Sequence, residues 1–162
     1  MDDKYTVVQK FALVLLRVVI GWHFLYEGVA KLLKANWSAA GYLMQARGFL
    51  APFFKWIADS EGVLALVNQL NIWGLIAIGL ALILGCFTRL SAIFGILLIL
   101  LYYLANPPFI GYYYSIPSEG NYLIVNKNLV EMAALLLIAV SYSGQYAGLD
   151  RIIHKVGKRK KG

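Results

Sequence analysis

The sequence predicts an all-α membrane protein: a four-helix transmembrane bundle with short amphipathic interfacial segments in its first outer loop. Three observations carry that prediction. Of 162 residues, 60% are apolar and only 14% charged, whereas an average soluble domain is about 45–50% apolar and about 25% charged. The mean hydropathy is +0.68, so a chain of single-domain length has too little polar surface to coat a water-soluble globule. The apolar residues fall into four runs that approach the roughly 20 residues a bilayer crossing needs.

The first run, Phe11 to Leu33, is long enough to span by itself. It is also longer than a signal-peptide core and is not promptly followed by a small-x-small cleavage site, so it is expected to be retained. Residues 34–71 follow as a long connection carrying Trp37, Phe49, Phe53, Phe54 and Trp56, with Gly48 and Pro52 as breakers. That pattern reads as one or two short amphipathic segments on the membrane interface. Spans 2 and 3, Ile72–Phe87 and Leu90–Ala105, are joined by a tight turn expected at Thr88-Arg89. Loop 106–122 holds Pro107, Pro108, Pro117 and Tyr112-Tyr113-Tyr114, an interfacial aromatic belt. Span 4 is expected over Leu129–Tyr142.

The last three apolar cores are short, about 14–16 residues or about 21–24 Å at the helical rise. Each extends only through polar residues: Asn68, Gln69 and Asn71 before span 2, Asn106 after span 3, and Asn126-Lys127-Asn128 before span 4. All these extensions lie on one side of the membrane. Polar groups at such depth are tolerated where protein or water surrounds them, so a polar pocket is expected in one leaflet.

The net charge of +7 is not a nucleic-acid signal, because five of the fifteen basic residues lie in the last eight positions. The chain divides into a single integral membrane domain, 1–154, and a basic cytoplasmic tail, 155–162, that reads as a headgroup and topology anchor. Lys4, Lys10, Arg89, Arg151, Lys155, Lys158, Arg159, Lys160 and Lys161 lie on one side. Lys34, Arg47, Lys55 and Lys127 lie on the other. Nine against four places both termini in the cytoplasm and the polar pocket in the outer leaflet.

Span 1 is one-sided. At about 100° per residue with Arg17 at zero, Lys31 falls near about −40°, Glu27 near about −80° and His23 near about −120°. Gly21 and Gly28 flank that arc, where they would let a neighbouring helix approach closely. The opposite arc, from Val14 and Leu15 to Leu32 and Leu33, is uncharged. A charge near mid-span costs about 2.5–3.5 kcal/mol on insertion scales, so partners are expected. His23–Glu27 and Glu27–Lys31 have (i, i+4) spacing, and Lys127–Glu131 repeats it in span 4. If spans 1 and 4 are neighbours, Glu27, Lys31, Lys127 and Glu131 form a net-neutral cluster, and Arg17 is placed to reach Asp150. Plainer readings stand beside these. Arg17 snorkels; the four charges only fix helix register; His23 is a satisfied core histidine; Arg89 marks topology or contacts phosphate. The stripe Ala77, Ala81, Gly85 and the pair Ser91, Gly95 read as helix packing.

Much chemistry is excluded. The lone Cys86 permits no intramolecular disulfide and no CxxC relay. His23 is the one histidine within a span, which argues against bis-histidine haem. No HExxH, Cys/His cluster or carboxylate-rich metal set is present, and no GxGxxG or P-loop opens a helix. Neither haem nor metal is expected. What remains suits a lipid-soluble cofactor such as a quinone, which needs an apolar slot with hydrogen-bond donors or proton carriers at its carbonyls. His23, Glu27, Lys31, Asn128 and Glu131 are suitable groups.

Four segments carry a family resemblance: RVVIGWHFLYEGVAKL (17–32), GLALILGCFTRLS (79–91), EGNYLIVNKNLVE (119–131) and YAGLDR (146–151). A span with an Arg, a Gly and a later Gly-x-x-Lys, then a Gly-x-x-Thr-Arg turn, then a Lys-Asn-Leu start of the last span resembles the DoxX family of membrane proteins, of the DoxD type. The resemblance implies a four-helix bundle in a bacterial or archaeal cytoplasmic membrane. It implies a subunit like that of thiosulfate:quinone oxidoreductase, which oxidises thiosulfate to tetrathionate and passes electrons to quinone together with a second subunit, DoxA. The positions carried over are Arg17, Gly21, Glu27, Gly28, Lys31, Arg89, Lys127, Asn128 and Asp150.

The expected roles are then specific. Glu27 and His23 carry protons, and Lys31 holds Glu27 ionised. Asn128, Glu131 and Lys127 complete the cofactor pocket, while Arg17 and Arg89 support it from the cytoplasmic end. The expected partners are the lipid bilayer and a soluble or membrane redox subunit, with room for a homo-oligomer and no nucleic acid. The alternative is a non-enzymatic membrane scaffold that docks a soluble redox enzyme. A transporter is disfavoured for want of inverted repeats.

Overall fold

The computed structural model describes residues 5–115 and 123–159, with backbone alone at 154 and 156–159. The expectations for Lys4, Pro117, Lys160 and Lys161, and for Glu119 to Tyr122 of the third segment, lie outside the described residues. Those described are helical, with no strand among them.

Helix α1, Val7–Leu33, starts a turn earlier than the apolar run because Thr6 and Gln9 form a reciprocal cap. Thr6 N–H donates to Gln9 Oε1 at 2.8 Å and Gln9 N–H to Thr6 Oγ1 at 3.3 Å. The long connection contains α2, Ala40–Met44, and α3, Ala51–Asp59. Pro52 does not break α3; it sits in its first turn, where a missing N–H costs nothing. The segment is amphipathic as expected, burying Phe54 and Ile57 while exposing Phe53 and Trp56.

Helix α4, Glu61–Leu84, absorbs Asn68, Gln69 and Asn71 in its first half. It stops at Gly85, whose φ of +64° is the left-handed cap that glycine adopts without steric cost. The turn into α5, Thr88–Ala105, is therefore Gly85-Cys86-Phe87, not Thr88-Arg89; those two residues open α5. The sequence reading missed this because Thr88-Arg89 is the polar pair, whereas the chain reversal is set by backbone conformation. Helix α6, Lys127–Val140, begins under the Asn126 side chain, which accepts from Leu129 N–H at 3.1 Å. It ends two residues before Tyr142, followed by α7, Ser143–Tyr146, and α8, Asp150–Arg159.

By length and composition α1, α4 and α5 can cross a membrane. With 14 residues, α6 extends about 21 Å, short of the roughly 30 Å hydrocarbon core. It nevertheless packs on α5 and α1, and together with the α1–α4 and α4–α5 contacts this closes a ring. The shared core draws Ile20 and Phe24 from α1, Leu75, Ile78 and Leu82 from α4, Ala92 and Ile99 from α5, and Leu135 and Ile138 from α6.

The α1–α4 seam is the closest. A Cβ on Gly21 would lie 3.0 Å from the Gly79 carbonyl oxygen, and one on Gly28 2.9 Å from Ile76 N. Gly79 answers from α4 against the Leu25 backbone. Gly95 packs on Phe24 and Leu135 as expected, but Gly85 belongs to the turn and not to a packing stripe. The uncharged arc of α1 faces outward: Val19 is 58% and Trp22 62% exposed. Apolar side chains this exposed, on every long helix, are suited to lipid and not to water. The bundle thus has a tight end, formed by Gly85 and α7, and a wide end, where α2 and α3 form a second small core with Ala105.

Candidate functional site

The wide end encloses a cavity of about 950 Å³ between α1, α4, α5 and α6, under a roof made by α2, α3 and residues 106–114. Its deeper wall is apolar: Phe24, Leu75, Leu98 and Ile99. Six of the eight residues singled out by sequence line it: His23, Glu27 and Lys31 from α1, and Lys127, Asn128 and Glu131 from α6. They converge because (i, i+4) spacing stacks each set on one helix face and because α1 and α6 are neighbours.

The pairing differs in part from expectation. His23 Nδ1 meets Glu131 Oε1 at 2.7 Å across the helix seam, instead of pairing with Glu27. Glu27 pairs with Lys31 at 3.7 Å, as its spacing predicts. Glu131 is well buried at 14% side-chain exposure, while His23 is 45% exposed. The Lys31 ammonium also lies 5.3 Å from the Trp37 ring centre and 5.4 Å from that of Tyr102, a cation–π arrangement that holds it at the wall.

Arg17 and Arg89 do not join the cavity. Arg17 is 2% exposed at the tight end and donates from Nη2 to the Ala147 carbonyl at 2.5 Å. Asp150, its expected partner, instead accepts from Phe87 N–H at 2.7 Å and Thr88 N–H at 3.0 Å, capping α5. Arg17 is therefore neither snorkelling nor ligand-facing; it is a buried strut on the C-terminal end of α7. Arg89 is exposed at the opening turn of α5.

Sequence reasoning missed the aromatic half of the site. Asn71 Nδ2 donates to the Tyr102 hydroxyl at 2.6 Å, and Asn71 is buried with its Oδ1 unpaired among the described residues. Asn71 and Asn106, expected beside a polar pocket from their place in the span extensions, do line the cavity. Tyr42 donates to the Tyr102 carbonyl at 2.9 Å, and burial pushes its phenol up from the ordinary value. Tyr114 donates to the Pro107 carbonyl at 2.7 Å, and burial pushes its phenol up to about 12. Both roof hydroxyls thus stay protonated donors at neutral pH. A tyrosine or tryptophan in an interfacial loop carries no spacing signal that separates a roof from a lipid belt.

The chain matches the DoxX family over residues 12–106. That stretch is more than half of the chain, from α1 to the end of α5, and the protein belongs to this family. The match stops before α6, so the Asn126–Glu131 wall lies beyond it. Comparison with curated proteins finds no match, and comparison with solved structures finds none.

Proposed function

We propose that this DoxX protein is the integral membrane subunit of a quinone-linked oxidoreductase, of the DoxD type, and that the wide-end cavity takes the quinone. The observation that carries the proposal is the His23–Glu131 pair, set at 2.7 Å in the wall of a large, mainly apolar cavity. Small-molecule sites of about 300–1,000 Å³ with few convergent polar groups are the common design for such ligands. The polar wall supplies the donors and proton carriers a quinone's oxygens need, and the exposed apolar helix faces favour a ligand that arrives through lipid.

Two thiosulfate anions each lose one electron and join through a new S–S bond as tetrathionate; the two electrons and two protons convert quinone to quinol. A partner subunit brings the sulfur chemistry, and this chain supplies the quinone side. The His23–Glu131 hydrogen bond, 2.7 Å long, would hold one proton for a quinone oxygen, and the half-exposed His23 ring would then take up another. Glu27, 3.7 Å from Lys31, would be the second carrier, taking up a proton from the cavity before passing it on. Asn128 and Lys127 line the pocket on the α6 side. Arg17 and Arg89 take no part in binding the quinone.

The same reading makes the assembly a four-helix transmembrane bundle. In it α6 crosses a locally thin region with help from the 141–146 segment, both termini lie in the cytoplasm, and the cavity opens toward the outer leaflet.

The test is quinone content and turnover. Quinone should co-extract with the purified protein, and thiosulfate-dependent quinone reduction in membranes should fall at least tenfold in Glu131→Gln with the protein still folded. Protein free of quinone, with reduction unchanged in Glu131→Gln, would overturn the reading and favour the scaffold alternative. Impermeant maleimide should label Cys86, half-buried in the tight-end turn, only from the cytoplasmic side.

A further inference from the structure

The tight end carries a second hollow, unrelated to the cavity above. It has a volume of about 320 Å³ and is lined by Phe87, Thr88, Arg89, Leu90, Ile93 and Asp150. Its walls are mostly apolar, and Phe87, Leu90 and Ile93 are 62%, 52% and 41% exposed. From there Leu90, Ile93 and Phe94 continue along the outer face of α5 as an exposed apolar track.

Arg89 is the cation that lines the hollow. Arg89 stands exposed on its edge. On α8, which starts at the same place with Asp150, Arg151 and Lys155 are exposed at (i, i+4) spacing and share one face. Ile152 and Ile153 beside them are 58% and 46% exposed. The acidic group present, Asp150, is engaged by the Phe87 and Thr88 N–H groups, and Arg17 lies buried behind it, against Gly85. An exposed arginine at the head of an apolar track, with basic residues on the adjoining helix α8, complements one kind of molecule: a phosphate attached to acyl chains. A free phosphate would gain nothing from Leu90 and Ile93, and a zwitterionic lipid would bring its own cation to the arginine.

We propose that the hollow between the start of α5 and α8 is a binding site for an anionic phospholipid. Its phosphate sits on Arg89, its chains lie along Leu90 and Ile93, and α8 rests on the same leaflet. Arginine suits this role because its planar fork binds phosphate oxygens in pairs. Basic groups on a membrane-facing helix also favour anionic over zwitterionic headgroups.

The experiment is native mass spectrometry of the full chain in detergent micelles, titrated separately with phosphatidylglycerol, phosphatidylcholine and inorganic phosphate. Phosphatidylglycerol should bind at least fivefold more tightly than phosphatidylcholine. Arg89→Gln should abolish that preference and Arg89→Lys should keep part of it, while Arg47→Gln, an exposed arginine at the wide end, should leave it intact. Because Arg89 is exposed, Arg89→Gln should unfold as wild type does. A preference that survives in Arg89→Gln, or equal binding of the two lipids, would overturn the proposal. So would inorganic phosphate displacing the lipid at matched concentration, which would reveal a bare-anion site.

Discussion

The two ends of the bundle hold ionisable groups in opposite ways. At the tight end Arg17 and Asp150 are both committed to backbone: one to the Ala147 carbonyl, the other to two N–H groups at the start of α5. Glycines at 85, 144 and 148 leave room for that arrangement and for nothing else. At the wide end the charges bond to other side chains and border open space, with His23 and Glu27 each almost half exposed. A charge spent on backbone fixes the fold; a charge left facing a cavity is available to a ligand. Residue type alone does not distinguish the two, since span 1 places Arg17, His23, Glu27 and Lys31 on a single arc.

The comparison breaks most visibly at Asp150, where the largest loss is expected. Asp150→Ala removes the acidic group whose charge acts on buried Arg17 and uncaps α5. Asp150 accepts two backbone N–H bonds, and a hydrogen bond to a charged group contributes about 1.5–3 kcal/mol. Denaturation in detergent should show a loss of that order. Asp150→Asn, which keeps an acceptor for one N–H, should lose less. Quinone binding per folded molecule should be unchanged in both. If Asp150→Ala instead emptied the cavity, the two ends would be coupled and the separation drawn here would fail.

A middling effect is expected at the seam both ends share. Gly79→Ala would place a Cβ within 3 Å of the Leu25 backbone and the Gly21 carbonyl, and backbone cannot swing aside as a side-chain tip can. Overpacking of this kind costs about 1–3 kcal/mol. Gly74→Ala, five residues earlier on α4 with open space around it, should stabilise by about 0.5–1 kcal/mol through helix propensity. Opposite signs from the same substitution on one helix would locate the seam. Equal responses would mean that α1 and α4 are not held by glycine contact.

Much of this was legible in the chain. The one-sided arc of span 1, the polar extensions at one side and the flanking role of Gly21 and Gly28 follow from helical periodicity, and the structure retains all three. Gly79 was not legible as a seam residue, because a glycine in an apolar run looks the same whether it touches backbone or lipid. The His23–Glu131 bond was not legible either: spacing proposes partners within a helix, whereas a bond across helices depends on how two helices are rotated toward each other. Arg17 was legible in part: Asp150 acts on it through charge, but its hydrogen bond goes to the Ala147 carbonyl. Carbonyls at the end of a short helix offer a buried guanidinium an acceptor with no sequence signature.

The smallest stability effect, and the sharpest for chemistry, belongs to Glu27. Its bond to Lys31 is 3.7 Å long and its side chain is 46% exposed; an (i, i+4) ion pair of this kind contributes about 0.3–0.5 kcal/mol at best. Lys31 keeps its aromatic contacts with Trp37 and Tyr102 when Glu27 is neutral, so Glu27→Gln should shift the denaturation midpoint barely beyond error. Because the fold is so little perturbed, turnover in this variant reports on proton supply alone. A severalfold fall in thiosulfate-dependent quinone reduction, with quinone content kept, would make Glu27 a carrier alongside His23 and Glu131. Full turnover would leave the His23–Glu131 pair as the proton path and assign Glu27 to holding Lys31 at the wall. A large loss of stability instead would place Glu27 with Arg17 and Asp150 among the groups that fix the fold, and the contrast between the two ends would dissolve.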